Sequence, residues 1–327
     1  MSGPLRLGVL GTGRIASDYL ASVDELPDVV AVGLCDVVTE RARALGERWS
    51  VSVQPDPEAL VQEAGAEAVL IATPPVSHEE LSLRCLAAGA HVLCEKPLAL
   101  SAASGRRMLG AADEAGLVLT MSAKFRHVPD VIEAKARLGT AQLGRLVRVE
   151  QCFVSPVAMA GRWNADPEVA GGGVLIDNGT HSVDLLRYLC GPPDFVEAVE
   201  GPRLQGLPVE DTVHVLLGHP GGLVATVDLS WSLPARTGPY LVLHGEHGSL
   251  ELGWQGSLLR RGDGGSVAWG RGYRKVEALG RQLRHFARVV RGTEPPLLGR
   301  ADLLAGIEVV EAAYLSLAEG RRVRLGR

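Results

Sequence analysis

Leu5-Arg6-Leu7-Gly8-Val9-Leu10-Gly11-Thr12-Gly13-Arg14-Ile15-Ala16 passes from a short apolar run through a glycine-rich turn into a helical pattern. The turn is a G-x-G-x-x-A, and its setting between a strand and a helix gives it meaning beyond chance in a chain with 40 glycines. Gly11 permits the tight turn, Gly13 lets the backbone approach a pyrophosphate, and Ala16 is small enough for the helix to pack on the strand. An anion then meets the unpaired N–H groups and the positive end of a helix. The candidate cofactor loop is therefore Gly11, Thr12, Gly13, Arg14 and Ile15. Asp36 follows the second apolar run, 25 positions after Gly11. A carboxylate there accepts from both ribose hydroxyls of an adenosine and repels a 2′-phosphate, which favours NAD over NADP. Arg41 is the nearby cation that could reach back and weaken that preference.

The rest of the first third repeats the same grammar. Strand-like runs at 5–10, 29–35, 68–72, 91–94 and 117–121 alternate with helical patterns at 15–26, 39–49, 78–88 and 101–115. Such alternation reads as βαβ units and a parallel sheet covered on both faces. After residue 122 the pattern changes. A helix at 129–138 leads to a strand at 146–154, and longer strands with period-two alternation follow. In Leu223–Leu233 the apolar face is Leu223, Ala225, Val227, Leu229, Trp231 and Leu233, opposite Val224, Thr226, Asp228, Ser230 and Ser232. That alternation describes a half-covered antiparallel strand. Helices at 276–291 and 301–318 end the chain. The fold expected is a Rossmann dinucleotide-binding domain over residues 1–122. An α+β domain with a mostly antiparallel open sheet is expected over 123–327.

Composition narrows the partners. The chain has 327 residues, which at roughly 150 per domain fits two domains. Its 33 basic and 38 acidic residues leave a net charge of −5, without the basic excess that nucleic-acid binding calls for. Five cysteines (Cys35, Cys85, Cys94, Cys152 and Cys190) show no C-x-x-C spacing, so neither a disulfide framework nor a metal site is expected. No run approaches the roughly 18 apolar residues of a membrane helix, and no signal peptide is read, so the expected location is cytoplasmic. Only four basic residues are lysines: Lys96, Lys124, Lys135 and Lys275.

Two further stretches carry chemistry. The run His91–Cys94 ends in Glu95-Lys96-Pro97, and ligands of open parallel sheets bind beyond such strand ends. Lys96 could hydrogen-bond a substrate oxygen there, or be an exposed lysine paired with Glu95. Gly171-Gly172-Gly173 opens a helix near Asp177 that carries His181 and Asp184. Four-residue spacing stacks Asp177 and His181, and a carboxylate beside an imidazole raises its basicity. Asp184 could be the partner instead. The plain alternative makes Asp177 a cap and His181 a half-buried residue of the fold.

Together these motifs resemble the glucose–fructose oxidoreductase, inositol dehydrogenase and rhizopine catabolism group of NAD(P)-dependent enzymes. The resemblance covers nearly the whole chain. It runs through G-x-G-x-x-A, Ala72-Thr73-Pro74-Pro75 with His78, Ala88 to Leu98 with its E-K-P, Arg162-Trp163, and Asp177-x-Gly-x-His181-x-x-Asp184. It implies hydride transfer between a nicotinamide and the alcohol carbon of a polyol, sugar or sugar derivative. Lys96 then binds the reacting oxygen and helps position the nicotinamide, His181 is the acid/base group, and Asp177 assists in substrate binding or proton relay. Thr73, Pro74, His78 and Glu95 lie by the cofactor, and Arg162 and Trp163 wall the nicotinamide end or substrate pocket. The second domain's open sheet makes subunit contacts, as a homodimer or homotetramer. Lys124 and Arg126 point to a polar or anionic substrate, or to a solvated helix start. The same resemblance also covers non-catalytic sugar sensors and enzymes acting on dihydrodiols or enones.

Overall fold

A six-residue run can bury both of its faces only inside a covered sheet, and Leu5, Leu7, Val9 and Leu10 are all buried. The computed structural model describes residues 3–235 and 238–326. The chain divides into two units, Met1–Lys124 with Lys275–Ile307 and Phe125–Arg274 with Glu308–Arg327.

In the first unit β1 (Leu5–Leu10), β2 (Val29–Cys35), β3 (Ala68–Ile71), β4 (His91–Cys94) and β5 (Leu119–Met121) form a parallel sheet of order β2-β1-β3-β4-β5. Leu34 makes one further parallel bridge to Val53. Counting that residue as a strand beside β2 gives the order 3-2-1-4-5-6 of the dinucleotide-binding fold. The helices are α1 (Arg14–Val23), α2 (Thr39–Trp49), α3 (Pro57–Gln62), α4 (His78–Ala87) and α5 (Ala102–Ala115).

The expected boundary near residue 122 falls after Lys124, but the range 123–327 is not one unit. Residues 275–307 belong to the first. Packing gives the reason. On α9 (Lys275–Val290), Leu279, Leu283 and Phe286 join Ala16, Tyr19 and Leu20 of α1 in one core cluster. Leu303 and Ile307 at the start of α10 (Arg300–Glu319) join Met108, Leu109 and Ala112 of α5 in the other. Gly105 admits this approach, because a Cβ there would stand 2.7 Å from the Ile307 side chain.

The second unit holds β6 (Leu146–Val154), β7 (Phe195–Glu200), β8 (Thr212–Gly218), β9 (Val224–Ser230), β10 (Leu241–Gly245), β11 (Gly248–Leu252), β12 (Ser257–Arg261), β13 (Ser266–Trp269) and β14 (Val323–Arg324). Their order is β13-β12-β11-β10-β6-β9-β8-β7-β14, antiparallel throughout except for β6 beside β9. The unit's helices are α6 (Pro129–Arg137), α7 (Pro167–Ala170), α8 (Thr180–Cys190) and the second part of α10. The alternation of β9 is as expected from Leu223 to Trp231, all buried on one face, while Leu233 is exposed. Ser230, expected on the solvated face, is buried. Its hydroxyl bonds that of Thr212 at 2.8 Å and accepts from the amides of Ser232 and Leu233, which closes the strand end.

If α9 belongs to the first core, Leu283→Ala leaves a cavity there. The expected loss is about 3 kcal/mol, read as a lower denaturant midpoint. Leu315→Ala, at an exposed position of α10, should cost less than about 0.5 kcal/mol.

Candidate functional site

The first unit builds a nucleotide cradle from backbone. Gly11 has φ +84°, and a Cβ on it would lie 2.7 Å from the Ala72 carbonyl, so glycine is required by conformation and by space. Gly13 differs: a Cβ there would meet no protein atom within 4 Å. Internal packing therefore does not account for this glycine, and the space in front of it is open. Gly13 also stands at the N-terminus of α1, where no side chain caps the helix and no acidic residue occupies the first turn. Its free amides suit an anion. Ala16 is fully buried against the sheet, as its place in the motif requires. Arg14 is exposed and Ile15 half-buried.

Asp36 does more than the motif suggests. Its Oδ2 accepts from both the amide and the hydroxyl of Thr12 at 2.7 Å, and its Oδ1 accepts from the Val38 amide at 2.8 Å. The carboxylate thus locks the loop after β1 to the end of β2. Burial works against its charge, but the donors from Val38 and Thr12, with Arg41 beyond, outweigh it and hold the carboxyl below its usual range. Thr12 carried no sequence signal for this contact, since only the parallel pairing of β1 and β2 brings it to Asp36.

Around Lys96 the structure places a buried scaffold. Glu95 is 8% exposed; its Oε1 accepts from the Tyr19 hydroxyl at 2.9 Å and its Oε2 from the Lys96 amide at 3.2 Å. Ser122 and the Gln282 amide also bond the Tyr19 oxygen, both at 2.8 Å, and Gln282 accepts from the Ala123 amide. Burial, reinforced by the Glu95 charge, pushes the Tyr19 phenol well above its usual pKa. The Lys96–Pro97 peptide is cis. His78 is 0% exposed and stands between two carbonyls, with Nδ1 2.7 Å from the Pro97 oxygen and Nε2 2.9 Å from that of Thr73. It joins the T-P-P and E-K-P turns. Burial lowers its pKa below the ordinary value, and the neutral ring donates to one carbonyl at a time. Thr73 and Pro74 are half-buried, and the Ser77 hydroxyl lies 2.8 Å from the Thr73 hydroxyl.

In the second unit Asp177 and His181 stand on a helix that starts irregularly. Leu175–Gly179 is a π-helical turn that runs into α8. The expected regular helix is therefore corrected at its first turn, which is π-helical rather than α-helical. Thr180 and Ser182 hydroxyls bond back to the carbonyls of Ile176 and Asn178 at 2.6 and 3.2 Å. Asp184, weighed as the histidine's partner, holds the Arg126 guanidinium: Nε donates to its Oδ1 at 2.9 Å and Nη2 lies at 2.8 Å. Arg126 is 3% exposed and lies over the Tyr188 ring, so it is not the solvated helix start that the sequence allowed. Phe125 meets His181 edge-on at 5.4 Å and opens an aromatic cluster with Phe153, Tyr240, Trp254 and Tyr273. Arg162 and Trp163 are exposed on a loop whose base Gln205 pins, accepting from the Met159 amide and donating to the Val157 and Trp231 carbonyls. Among the described residues no group of three His, Cys, Asp or Glu side chains is placed to hold a metal ion, and no helix is long and apolar enough to cross a membrane.

The depressed pKa of Asp36 has a signed consequence. Its contribution to stability is fully present above the unfolded-state value of about 3.9 and is lost as pH falls through the lower folded-state value. Urea midpoints measured against pH should therefore fall less steeply in Asp36→Asn than in the wild type over the acid limb. Parallel curves would contradict this.

Residues 5–123 match the family described as "Oxidoreductase family, NAD-binding Rossmann fold", and residues 131–251 match the "GFO/IDH/MocA C-terminal domain". A D-apiose dehydrogenase of Paraburkholderia graminis is 30% identical over 97% of this chain and 88% of its own length. A trans-1,2-dihydrobenzene-1,2-diol dehydrogenase of Mus musculus is 34% identical over 70% of each chain. The structure of GenD2 from gentamicin A biosynthesis in complex with NAD superposes with a TM-score of 0.86 at 28% identity, covering 100% of this chain and 98% of that one. With both halves matched and a relative 30% identical along nearly its full length, this chain belongs to the Gfo/Idh/MocA family of oxidoreductases with an NAD-binding Rossmann fold.

Proposed function

We propose that the protein is a dehydrogenase that removes a hydride from the carbinol carbon of a polyol, sugar or sugar derivative, or returns it to the ketone. The observation that carries the reading is the cradle of Gly11, Gly13 and Asp36 in the unit that also holds a lysine on a rigid, buried scaffold. The nicotinamide supplies or accepts the hydride when bound. Lys96 donates a hydrogen bond to the substrate oxygen and steadies its changing charge. His181 takes the hydroxyl proton in the oxidation direction and returns it in reduction. Asp177 orients the substrate or relays that proton. Gly11, Thr12, Gly13, Arg14, Ile15 and Asp36 hold the dinucleotide, with Asp36 favouring NAD over NADP. Thr73 and Pro74 line it, His78 and Glu95 support Lys96 beside it, and Arg162 and Trp163 cover the nicotinamide end or the substrate. The protein acts in the cytoplasm as a homodimer or homotetramer joined through the open face of its second sheet.

One observation favours a second reading. The aromatic cluster beside His181 suits a flat, apolar ring, and the mouse relative named above acts on a dihydrodiol. Under that reading trans-dihydrodiols are oxidised faster than inositols, aldoses, glycosides or nucleotide sugars.

Two measurements test the assignment. Fluorescence titration should show NADH bound more tightly than NADPH, and the reverse order would remove the Asp36 reading. With NAD and the substrate panel just named, multiple turnover is expected, whereas a sensor would bind and not turn over. Lys96→Ala should lower kcat by at least about 100-fold while NADH binding stays measurable. A fully active Lys96→Ala enzyme would overturn the role given to that lysine.

A further inference from the structure

Three consecutive amides at the start of the helix carrying Asp177 and His181 all donate to one distant residue. Gly173 and Leu175 donate to Oε1 of Glu210 at 2.9 and 3.1 Å, and Val174 donates to the Glu210 main-chain oxygen at 2.9 Å. The same Oε1 accepts from the Tyr314 hydroxyl of α10 at 2.8 Å. Glu210 is 5% exposed, and neither the two amides nor the phenol is a cation. The glycine run exists to permit this docking. A Cβ on Gly173 would run into the Glu210 backbone, and one on Gly172 into the Tyr314 hydroxyl.

We propose that Glu210 is a positioning residue for the catalytic helix, setting where it starts and hence where Asp177 and His181 point, with Tyr314 as its anchor. This inference rests on the assignment of His181 and Asp177 above.

A helix's first amides are ordinarily satisfied by a Ser, Thr, Asp or Asn at the N-cap. Gly171-Gly172-Gly173-Val174 offers no such side chain, so the cap is supplied from the segment before β8. The carboxylate also opposes the positive end of the helix dipole. An ordinary cap could sit on any helix without consequence for chemistry. Here the turn it holds is the π turn, in which a single extra residue per turn decides the direction of Asp177 relative to α8. Releasing the start of the helix lets that turn revert toward α-helical spacing and misdirects the carboxylate. Gln205, Asp211 and Thr212 surround Glu210 in sequence but bond elsewhere: Asp211 accepts from the Gln205 amide and the Thr212 hydroxyl.

The test compares Glu210→Ala, Glu210→Gln and Tyr314→Phe in the full-length protein. Hydrogen–deuterium exchange is read on the peptide spanning residues 171–181. Turnover is read with NAD and the panel compound that the wild type oxidises fastest, and NADH affinity by fluorescence. In Glu210→Ala, exchange should rise in that peptide. Its kcat should fall by about 30- to 100-fold, the cost of a misplacement near 1 Å, while NADH affinity stays within about twofold. Glu210→Gln keeps an acceptor for both amides and should recover kcat to within about fivefold of wild type. In a His181→Ala background Glu210→Ala should change kcat by less than about threefold, because coupled residues are not additive. Unchanged exchange in residues 171–181, an undiminished kcat, equal losses with and without His181, or no recovery in Glu210→Gln would each overturn the proposal. Should Glu210→Ala fail to fold, Tyr314→Phe removes only the anchor; raised exchange in the same peptide supports the proposal and wild-type exchange overturns it. A His181→Ala enzyme with wild-type turnover would instead overturn the functional reading, and the exchange result for Glu210 would stand separately.

Discussion

The carboxylate of Glu95 is buried inside the first unit, and a buried carboxylate persists only where donors surround it. Tyr19 supplies one donor from α1, the helix that begins at the glycine loop. The Lys96 amide supplies another from the turn that carries the proposed substrate lysine. Gln282 on α9 closes the set by donating to Tyr19 and Ser122 and accepting from Ala123. This network explains a feature of chain topology as well as of chemistry. A segment more than 250 positions beyond the nucleotide loop returns to the first unit partly because Tyr19, Ser122 and the amide of Ala123 need its side-chain amide. Apolar burial of Leu279, Leu283 and Phe286 then supplies the larger share of the docking energy, at about 1.5–3 kcal/mol for each large side chain.

The same device recurs wherever a loop has to hold a defined shape. Asp36 captures the amides of Thr12 and Val38; Asp130 captures those of Arg271 and Gly272 together with the Ser257 hydroxyl. The second of these orders the approach to Tyr273, which stacks on Phe125 at a centroid distance of 5.0 Å. Glu210 takes two amides at the head of the Asp177–His181 helix. Hydrogen bonds to a charged acceptor are worth about 1.5–3 kcal/mol each, against about 1 for a neutral pair, so few contacts suffice to fix a loop. Because main-chain amides supply most of these donors, the frame depends little on which side chains the loops carry. Residues proposed to touch substrate or cofactor can then vary without loss of the frame beneath them.

Local patterns were legible to different depths. Leu5–Leu10, Val29–Cys35, Thr39–Trp49, His91–Cys94 and Leu146–Val154 have the bounds that apolar runs and periodicity indicate, because burial on one or both faces imposes its period on the residues. The Asp36 position was readable from motif spacing for the same kind of reason, since strand and helix lengths between Gly11 and β2 leave little freedom. The π turn was not readable. Leu175–Gly179 differs from an α-helical turn by one residue per turn, and no residue type demands it. Short β12 and β13 and the two-residue β14 are formed by pairing rather than by their own apolar content.

By itself the sequence determined the alternating parallel sheet, the glycine turn and the family, and it singled out Lys96, Asp177 and His181 as the residues proposed for the chemistry. Each of these rests on local spacing or on residue type. Tertiary structure alone decided which neighbours the groups around them keep. It gave Asp184 to Arg126, placed His78 between two carbonyls, returned α9 to the first unit and set Glu210 at the head of a helix 35 positions upstream. For α9 the reason is chiefly its apolar face, and for the other three it is a single rule. A buried polar group must find a partner, and the partner that meets it is chosen by three-dimensional proximity, which spacing along the chain does not encode.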